Sequence, residues 1–228
     1  MIDTPTDSEA LGPKARKPRL GVFGGSFDPI HNGHLFIAGE IIRRGLVDEI
    51  LFVPANVPPH KPASYVSPAE LRLTMLQEVL EPYEEFSLSD IEVQHGEEPS
   101  YTIDTIHTLA GAFPEHTLCF LMGMDSLVEL HQWRRAPELI AKFELLIYPR
   151  PGVREPAFAE LSGHFGPRQA RRLLNSILDT PPVPISATQV RAAVRARQNL
   201  AGLVPDCART FIEQHNLYKE TEETAGLQ

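Results

Sequence analysis

The chain has 228 residues, 42% hydrophobic and 22% charged, which is room for one domain with a full core and ordinary for a soluble globular protein. Its 21 Lys and Arg against 30 Asp and Glu leave a net charge of −9, which excludes bulk nucleic-acid binding and confines any phosphate recognition to a local pocket. Cys119 and Cys207 stand far apart with no Cys-x-x-Cys unit, so a disulfide framework or zinc ribbon is excluded, and no apolar run approaches a membrane span.

Residues 1–18 carry Pro5, Pro13 and Pro18 and little that is apolar. They lack the hydrophobic stretch of a signal peptide, so a disordered tail and a cytoplasmic location are expected. The domain is expected over 19–218, with a second short tail at 219–228.

An apolar run begins at Leu20, Gly24 and Gly25 follow, and residues 35–42 are apolar at helical spacing. The pattern reads as strand, glycine-rich turn and a helix starting near Gly33. Two glycines let the backbone approach a bulky anion with their amides facing it. The helix start adds unpaired N–H groups and the positive end of a dipole, a ready phosphate site. His31 and His34 flank this terminus and can face one pocket. There is no Gly-Lys-Ser/Thr, which excludes a Walker loop, and the glycines miss G-x-G-x-x-G. A His-x-x-His pair can also be half of a zinc site.

Residues 49–54 read as a buried strand stopped by Pro54, completing a βαβ unit with a parallel pair. The proline-rich stretch 55–62 is a loop at the carboxyl end of a strand, where open α/β sheets bind ligands. His60 and Lys61 are therefore either contacts for an anionic second substrate or incidental charge on a solvated loop. Ser67-Pro68-Ala69-Glu70 supplies an N-cap, a first-position proline and a capping-box glutamate. The helix it starts buries Leu71, Leu73, Met75, Leu76, Val79 and Leu80. A strand is expected over 86–93. Ser100 or Thr102 caps the next helix, which runs to Phe113.

Residues 117–123 are the most strand-like run in the chain and end at Gly123 and Asp125, which suits a binding edge. Asp125 either only caps the helix from Ser126 or also accepts from a ribose hydroxyl or substrate. Trp133, the single tryptophan, lies just beyond in polar, basic surroundings. It reads equally as core or as a platform for a heteroaromatic substrate. Pro137 opens a helix, 144–148 is a fifth strand, and 149–152 closes it. A helix is expected over 167–178, with Arg168, Arg171 and Arg172 on a solvated face.

Residues 184–191 read as a short strand ending at Ile185, then a helix capped by Ser186 or Thr188 with Arg191 in its first turn. An arginine at the positive end of a dipole is unfavourable unless an anion lies between them, so the placement hints at phosphate. A last helix over 205–218 packs through Val204, Ala208, Phe211, Ile212 and Leu217. The sum is a single α/β domain with a Rossmann-like open, mainly parallel sheet and helices on both faces.

Gly-Gly-Ser-Phe-Asp-Pro-Ile-His-Asn-Gly-His at 24–34 resembles the His-x-Gly-His signature of the nucleotidylyltransferase superfamily. Ile-Ser-Ala-Thr-Gln-Val-Arg at 185–191 resembles its second signature, Ile-Ser-Ser-Thr-x-Ile-Arg, with Ala187 in place of the middle serine and Val190 in place of isoleucine. Pro-Pro-His-Lys, Ser-Tyr-Thr-Ile-Asp-Thr-Ile, Gly-Met-Asp-Ser-Leu and the Trp133 segment make the chain similar to the bacterial nicotinate-nucleotide adenylyltransferases of NAD biosynthesis. Pro-Pro-His-Lys and Ser-Tyr-Thr-x-Asp-Thr discriminate these from the pantetheine-phosphate adenylyltransferases and cytidylyltransferases.

The resemblance implies transfer of AMP from ATP to nicotinate mononucleotide by direct in-line attack, with small molecules as partners, no nucleic acid and no membrane. His31, His34 and Arg191 would be catalytic. Gly24, Gly25, Ser26, Phe27, Ser186 and Thr188 would bind ATP. His60, Lys61, Tyr101, Thr102, Gly123, Asp125 and Trp133 would meet the acceptor, with Trp133 stacked on the pyridine ring and Tyr101 and Thr102 near its carboxylate. Mg²⁺ would arrive with ATP rather than in an acidic cage. The rival readings are another transferase of the superfamily, acting for example on phosphopantetheine, a non-catalytic nucleotide sensor and a zinc protein. Monomer and homo-oligomer are both open.

Overall fold

The computed structural model describes residues 16–56, 66–95 and 100–219. Five strands, β1 (Arg19–Gly25), β2 (Glu49–Pro54), β3 (Phe86–Leu88), β4 (Thr117–Gly123) and β5 (Glu144–Tyr148), form one all-parallel sheet. Among the described residues the helices are α1 (Asn32–Arg43), α2 (Ala69–Leu80), α3 (Thr102–Ala112), α4 (Met124–Glu129), α5 (Ala136–Lys142), α6 (Phe158–Asn175), α7 (Ala187–Arg195) and α8 (Asp206–Gln214). None of them is long and apolar enough to cross a membrane.

A strand's side chains alternate between faces, and this sheet is apolar on both. Phe23, Ile50, Phe52, Cys119, Leu121, Leu146 and Tyr148 join one core with residues of α1, α2, α7 and α8. Leu20, Val22, Leu51, Val53, Leu118, Phe120, Met122, Leu145 and Ile147 join a second core with α3, α4, α5 and α6. Near-continuous apolar strands of this kind need cover on both sides, as parallel sheets do. Burial pushes the Cys119 thiol up to about 11, so it stays protonated and inert, while Cys207 is exposed.

The strand order is β3-β2-β1-β4-β5. The chain winds outward from β1 to β3 and then returns to the other side of β1 with β4. The crevice at the carboxyl ends of β1 and β4 is therefore the switch point at which open α/β sheets take ligands.

Several local expectations are corrected. Gly24 and Gly25 are the last residues of β1, paired with Val53 and Pro54, so the turn starts at Ser26. β3 stops at Leu88, and a 3₁₀ turn covers Val93–His95. Ser67 is not the cap of α2; Pro68 takes that place, and the Ser67 backbone bonds Asp28 and Arg72. α6 starts at Phe158, nine residues before the expected 167, and breaks at Gly166 (φ 79°) ahead of Pro167. It ends at Asn175, after which Leu178 N–H donates to Ile147 O at 2.8 Å along the β5 edge. No strand precedes α7: residues 179–186 run unpaired. α8 ends at Gln214 and turns carry the chain to Tyr218.

Candidate active site

The phosphate-type loop between β1 and α1 is built from the inside. Phe27, 2% exposed, turns through φ 43° and packs edge-on against Phe23 and His34, with ring centroids 5.6 and 5.0 Å away. Its side chain is thus core, and only its backbone is left for a ligand. His31, also 2% exposed, is the N-cap of α1. A Cβ at Gly33 would fall 3.0 Å from His31 Nδ1, so glycine makes room for that ring.

The two imidazoles stack at 3.6 Å between centroids. The His31 backbone N–H donates to His34 Nδ1 at 3.2 Å. His34 therefore carries its proton on Nε2, which is left to donate outward. His31 Nδ1 is buried without a partner. Burial first, and the nearby Arg150 cation second, depress His31 to about 3. His34 is held well below its ordinary value by burial, then by His31 and Arg150. Both rings are neutral at pH 7 and act as hydrogen-bonding groups rather than as cations.

Positive charge comes from two arginines. Arg150 follows β5 and shares a small cleft with His31, His34 and Tyr148. Its Nε is 3.4 Å from Asp125 Oδ1 and its Nη2 donates to Tyr148 Oη at 3.3 Å. Gly123 is the N-cap of α4, and a Cβ there would lie 2.9 Å from Arg150 Nε, so glycine lets the guanidinium close over the end of β4. Arg191 belongs to the second turn of α7, not the first. Its Nη1 donates to the Asp28 carbonyl at 2.6 Å, and its Nη2 to Thr188 Oγ1 at 3.4 Å. Ser186 caps α7 by accepting from Gln189 N–H at 3.2 Å.

Two buried polar residues hold these parts in register. Asp28, 2% exposed, accepts from Tyr218 Oη at 2.8 Å and from Ser67 N–H at 3.3 Å. Burial and the Asp28 charge push the Tyr218 phenol up, so it stays a donor. Arg72, 1% exposed, donates to three carbonyls: Ser26 (2.6 Å), Ser67 (2.9 Å) and Asn56 (3.1 Å). It ties the phosphate loop to the residues that frame segment 57–65. His60 and Lys61 lie outside the described residues.

On the other side of the β1 end opens a cavity of about 470 Å³. Gly24, Gly25 and Ser26 form one wall, and Tyr101, Thr102, Ser126 and Trp133 are among the residues that line the remainder. Trp133 is half-buried and set edge-on to Phe120, 6.3 Å between centroids, which presents a ring to the cavity. Glu92 accepts from Ser100 Oγ at 2.5 Å and from Thr105 Oγ1 at 2.7 Å. Ser100 is thereby taken from capping, and Thr102 is already the first residue of α3, whose N-cap is Tyr101.

The fold thus gathers the phosphate-type loop, Tyr101, Thr102 and Trp133 around one crevice. Gly123 and Asp125 stand at its rim beside Arg150. Arg191 reaches the loop through the Asp28 carbonyl and holds Thr188, while Ser186 caps the same helix. Sequence reading missed Arg150, Arg72, Asp28, Tyr218 and Glu92. Arg150 had a signal, being a cation directly after an apolar strand at the binding edge. The other four each act through at least one contact between residues well apart in the chain, up to 190 positions for Asp28 and Tyr218, which no local pattern carries. Among the described residues no group of three or more His, Cys, Asp or Glu could hold a metal ion.

Residues 22–193 match the cytidylyltransferase-like family model. A relative from Dehalococcoides mccartyi, named a probable nicotinate-nucleotide adenylyltransferase, is 38% identical over 88% of this chain and 97% of its own length. One of the same name from Carboxydothermus hydrogenoformans is 33% identical over 88% and 98%. The Plasmodium falciparum nicotinic acid mononucleotide adenylyltransferase, solved with NaAD, superposes with a TM-score of 0.71 at 18% identity, covering 88% of this chain and 97% of that one. That likeness speaks for the fold.

Proposed function

Because the chain belongs to the cytidylyltransferase-like family, and within it to the nicotinate-nucleotide adenylyltransferases, we propose that it transfers AMP from ATP to nicotinate mononucleotide. The products are deamido-NAD and pyrophosphate, a step of NAD biosynthesis. The 5′-phosphate oxygen of the mononucleotide attacks the α-phosphorus of ATP in line. A phosphate is already a competent nucleophile at neutral pH, so the chain need supply no general base and forms no covalent intermediate. Its work is positioning and charge stabilisation.

The backbone of Gly24 to Phe27 lines the nucleotide and its phosphates. His34 Nε2–H and the His31 ring bind the phosphates and stabilise charge at the α-phosphoryl group. Arg191, Thr188 and Ser186 hold the β- and γ-phosphates and the departing pyrophosphate, and Arg150 joins them from β5. Arg191 must then exchange the Asp28 carbonyl for phosphate oxygens. Asp125 and Gly123 meet a ribose or the mononucleotide. Trp133 stacks on the pyridine ring, with Tyr101 and Thr102 near its carboxylate and His60 and Lys61 on the acceptor side. Mg²⁺ enters as part of the MgATP substrate, matched by a phosphate side made of imidazoles, guanidinium groups and N–H donors. A cytoplasmic location goes with this reading.

The observation that carries this reading is the juxtaposition at one switch point. Neutral stacked imidazoles and two arginines stand on one side of the β1 end, and an aromatic-walled cavity on the other. The test is incubation with MgATP and nicotinate mononucleotide, with products identified by mass. Deamido-NAD and pyrophosphate in equal amounts support the reading; ATP consumption without deamido-NAD overturns it.

A further inference from the structure

Among the described residues that line the acceptor cavity, Arg134 is the one cation and Glu92 the one carboxylate. The two are not paired. Glu92 is 9% exposed and takes the hydroxyls of Ser100 and Thr105, so its oxygens are spent on the start of α3. Arg134 is different. Its guanidinium lies over the Tyr101 ring, with Cζ 4.6 Å from the centroid, a cation–π arrangement that fixes the group without using its N–H donors. Its nearest carboxylate, Asp104, is 3.9 Å away, beyond hydrogen-bond distance.

Asp104 is taken by the next residue instead. Arg135 reaches Asp104 at 3.0 Å and Glu138 at 2.7 Å. The backbone separates the two arginines: Arg135 adopts φ 54° and ψ 34°, a left-handed step that a non-glycine residue rarely takes. It turns Arg135 outward toward Glu138, while Trp133 and Arg134 stay on the cavity wall. A planar fork of N–H donors is thus held at the cavity mouth beside the ring-stacking tryptophan. Its side chain is 54% exposed, so the desolvation cost of keeping it there is small.

We propose that Arg134 is a specificity-determining residue: its guanidinium, laid on Tyr101 beside Trp133, favours an acceptor ring bearing a carboxylate over the same ring bearing a carboxamide. The inference rests on the reading that the chain adenylates a pyridine mononucleotide. A guanidinium fork matches a carboxylate with two charge-assisted hydrogen bonds, whereas a carboxamide offers one neutral acceptor and a donor group that the fork repels. At a half-exposed mouth the difference amounts to about fivefold in affinity, and salt weakens it.

The experiment compares wild type, Arg134→Gln and Arg134→Lys with nicotinate and nicotinamide mononucleotides at low and high salt. Arg134→Gln should lower kcat/KM for the acid about fivefold through KM, against less than twofold for the amide. Arg134→Lys should retain part of the preference, and high salt should narrow the wild-type ratio but not that of the glutamine variant. Equal losses with both acceptors would mean a packing role and overturn the inference, as would an unchanged ratio. A wild type that uses the acid while Arg134→Gln keeps its selectivity sinks this inference alone. A wild type that uses neither mononucleotide sinks it together with the proposed function.

Discussion

Holding two neutral histidines inside the fold has a consequence for stability that can be measured without substrate. His31 has its pKa depressed from 6.5 to about 3 in the folded chain and regains its ordinary value on unfolding. Between those values the unfolded state binds the proton and the native state does not, so stability falls as pH falls through this window. From pH 7.5 to 5.0 the loss from His31 alone is about 2 kcal/mol, because each unit below 6.5 costs about 1.4 kcal/mol until the folded value is reached. His34 is shifted the same way and adds to the effect. The carboxylates Glu40 and Glu138, lowered from 4.5 to about 2 by their basic partners, lose their contribution only as pH falls below 4.5, beneath the interval from 7.5 to 5.0. The assay is urea unfolding of wild type and His31→Gln at pH 7.5 and 5.0 and constant ionic strength. The variant should lose about 2 kcal/mol less than wild type over that interval. Identical pH dependence in the two proteins would refute the claim that the ring is held neutral, and with it the assignment of the site's positive charge to Arg150 and Arg191.

The remaining expectations concern single side chains. His34→Ala should lower kcat by a hundredfold or more, about 3 kcal/mol of transition-state stabilisation, with circular dichroism unchanged; near-normal kcat would remove His34 from the chemistry. Trp133→Ala should raise KM for nicotinate mononucleotide about tenfold, the scale of one aromatic stack plus its buried area, and KM for ATP less than twofold. Equal effects on the two would remove the stacking role. Arg72→Met leaves three carbonyls without their donor and should lower unfolding stability by about 3 kcal/mol, read from the urea midpoint; a change under 1 kcal/mol would mean that water replaces the guanidinium.

The sheet was legible because four of its five strands are short apolar runs closed by glycine or proline, and β4 and β5 came out with their observed ends. The two signatures were legible because a helix terminus imposes local chemistry: glycine where a ring must fit, histidine or serine where a cap is needed. Errors gathered where tertiary partners compete with local rules. Ser67 is a good cap by composition, yet the helix begins one residue later, with Pro68 at the N-cap. Ser100 is another, yet its hydroxyl goes to Glu92. The expected strand over 86–93 shortens because only residues 86–88 find a partner in β2. Arg72 reads as one more charge on an amphipathic helix. Only the fold shows it buried, with Ser26, Asn56 and Ser67 around it. Tyr218 reads as the frayed end of a helix, and only the fold brings its hydroxyl to Asp28, 190 residues away.

The most direct test of the account is pyrophosphate release with MgATP and three acceptors offered in parallel: nicotinate mononucleotide, nicotinamide mononucleotide and phosphopantetheine. The account predicts a strong preference for nicotinate mononucleotide. Turnover with phosphopantetheine alone would keep the ATP side and contradict the acceptor side, and silence with all three despite ATP binding would contradict the transferase reading for these acceptors and favour a nucleotide sensor.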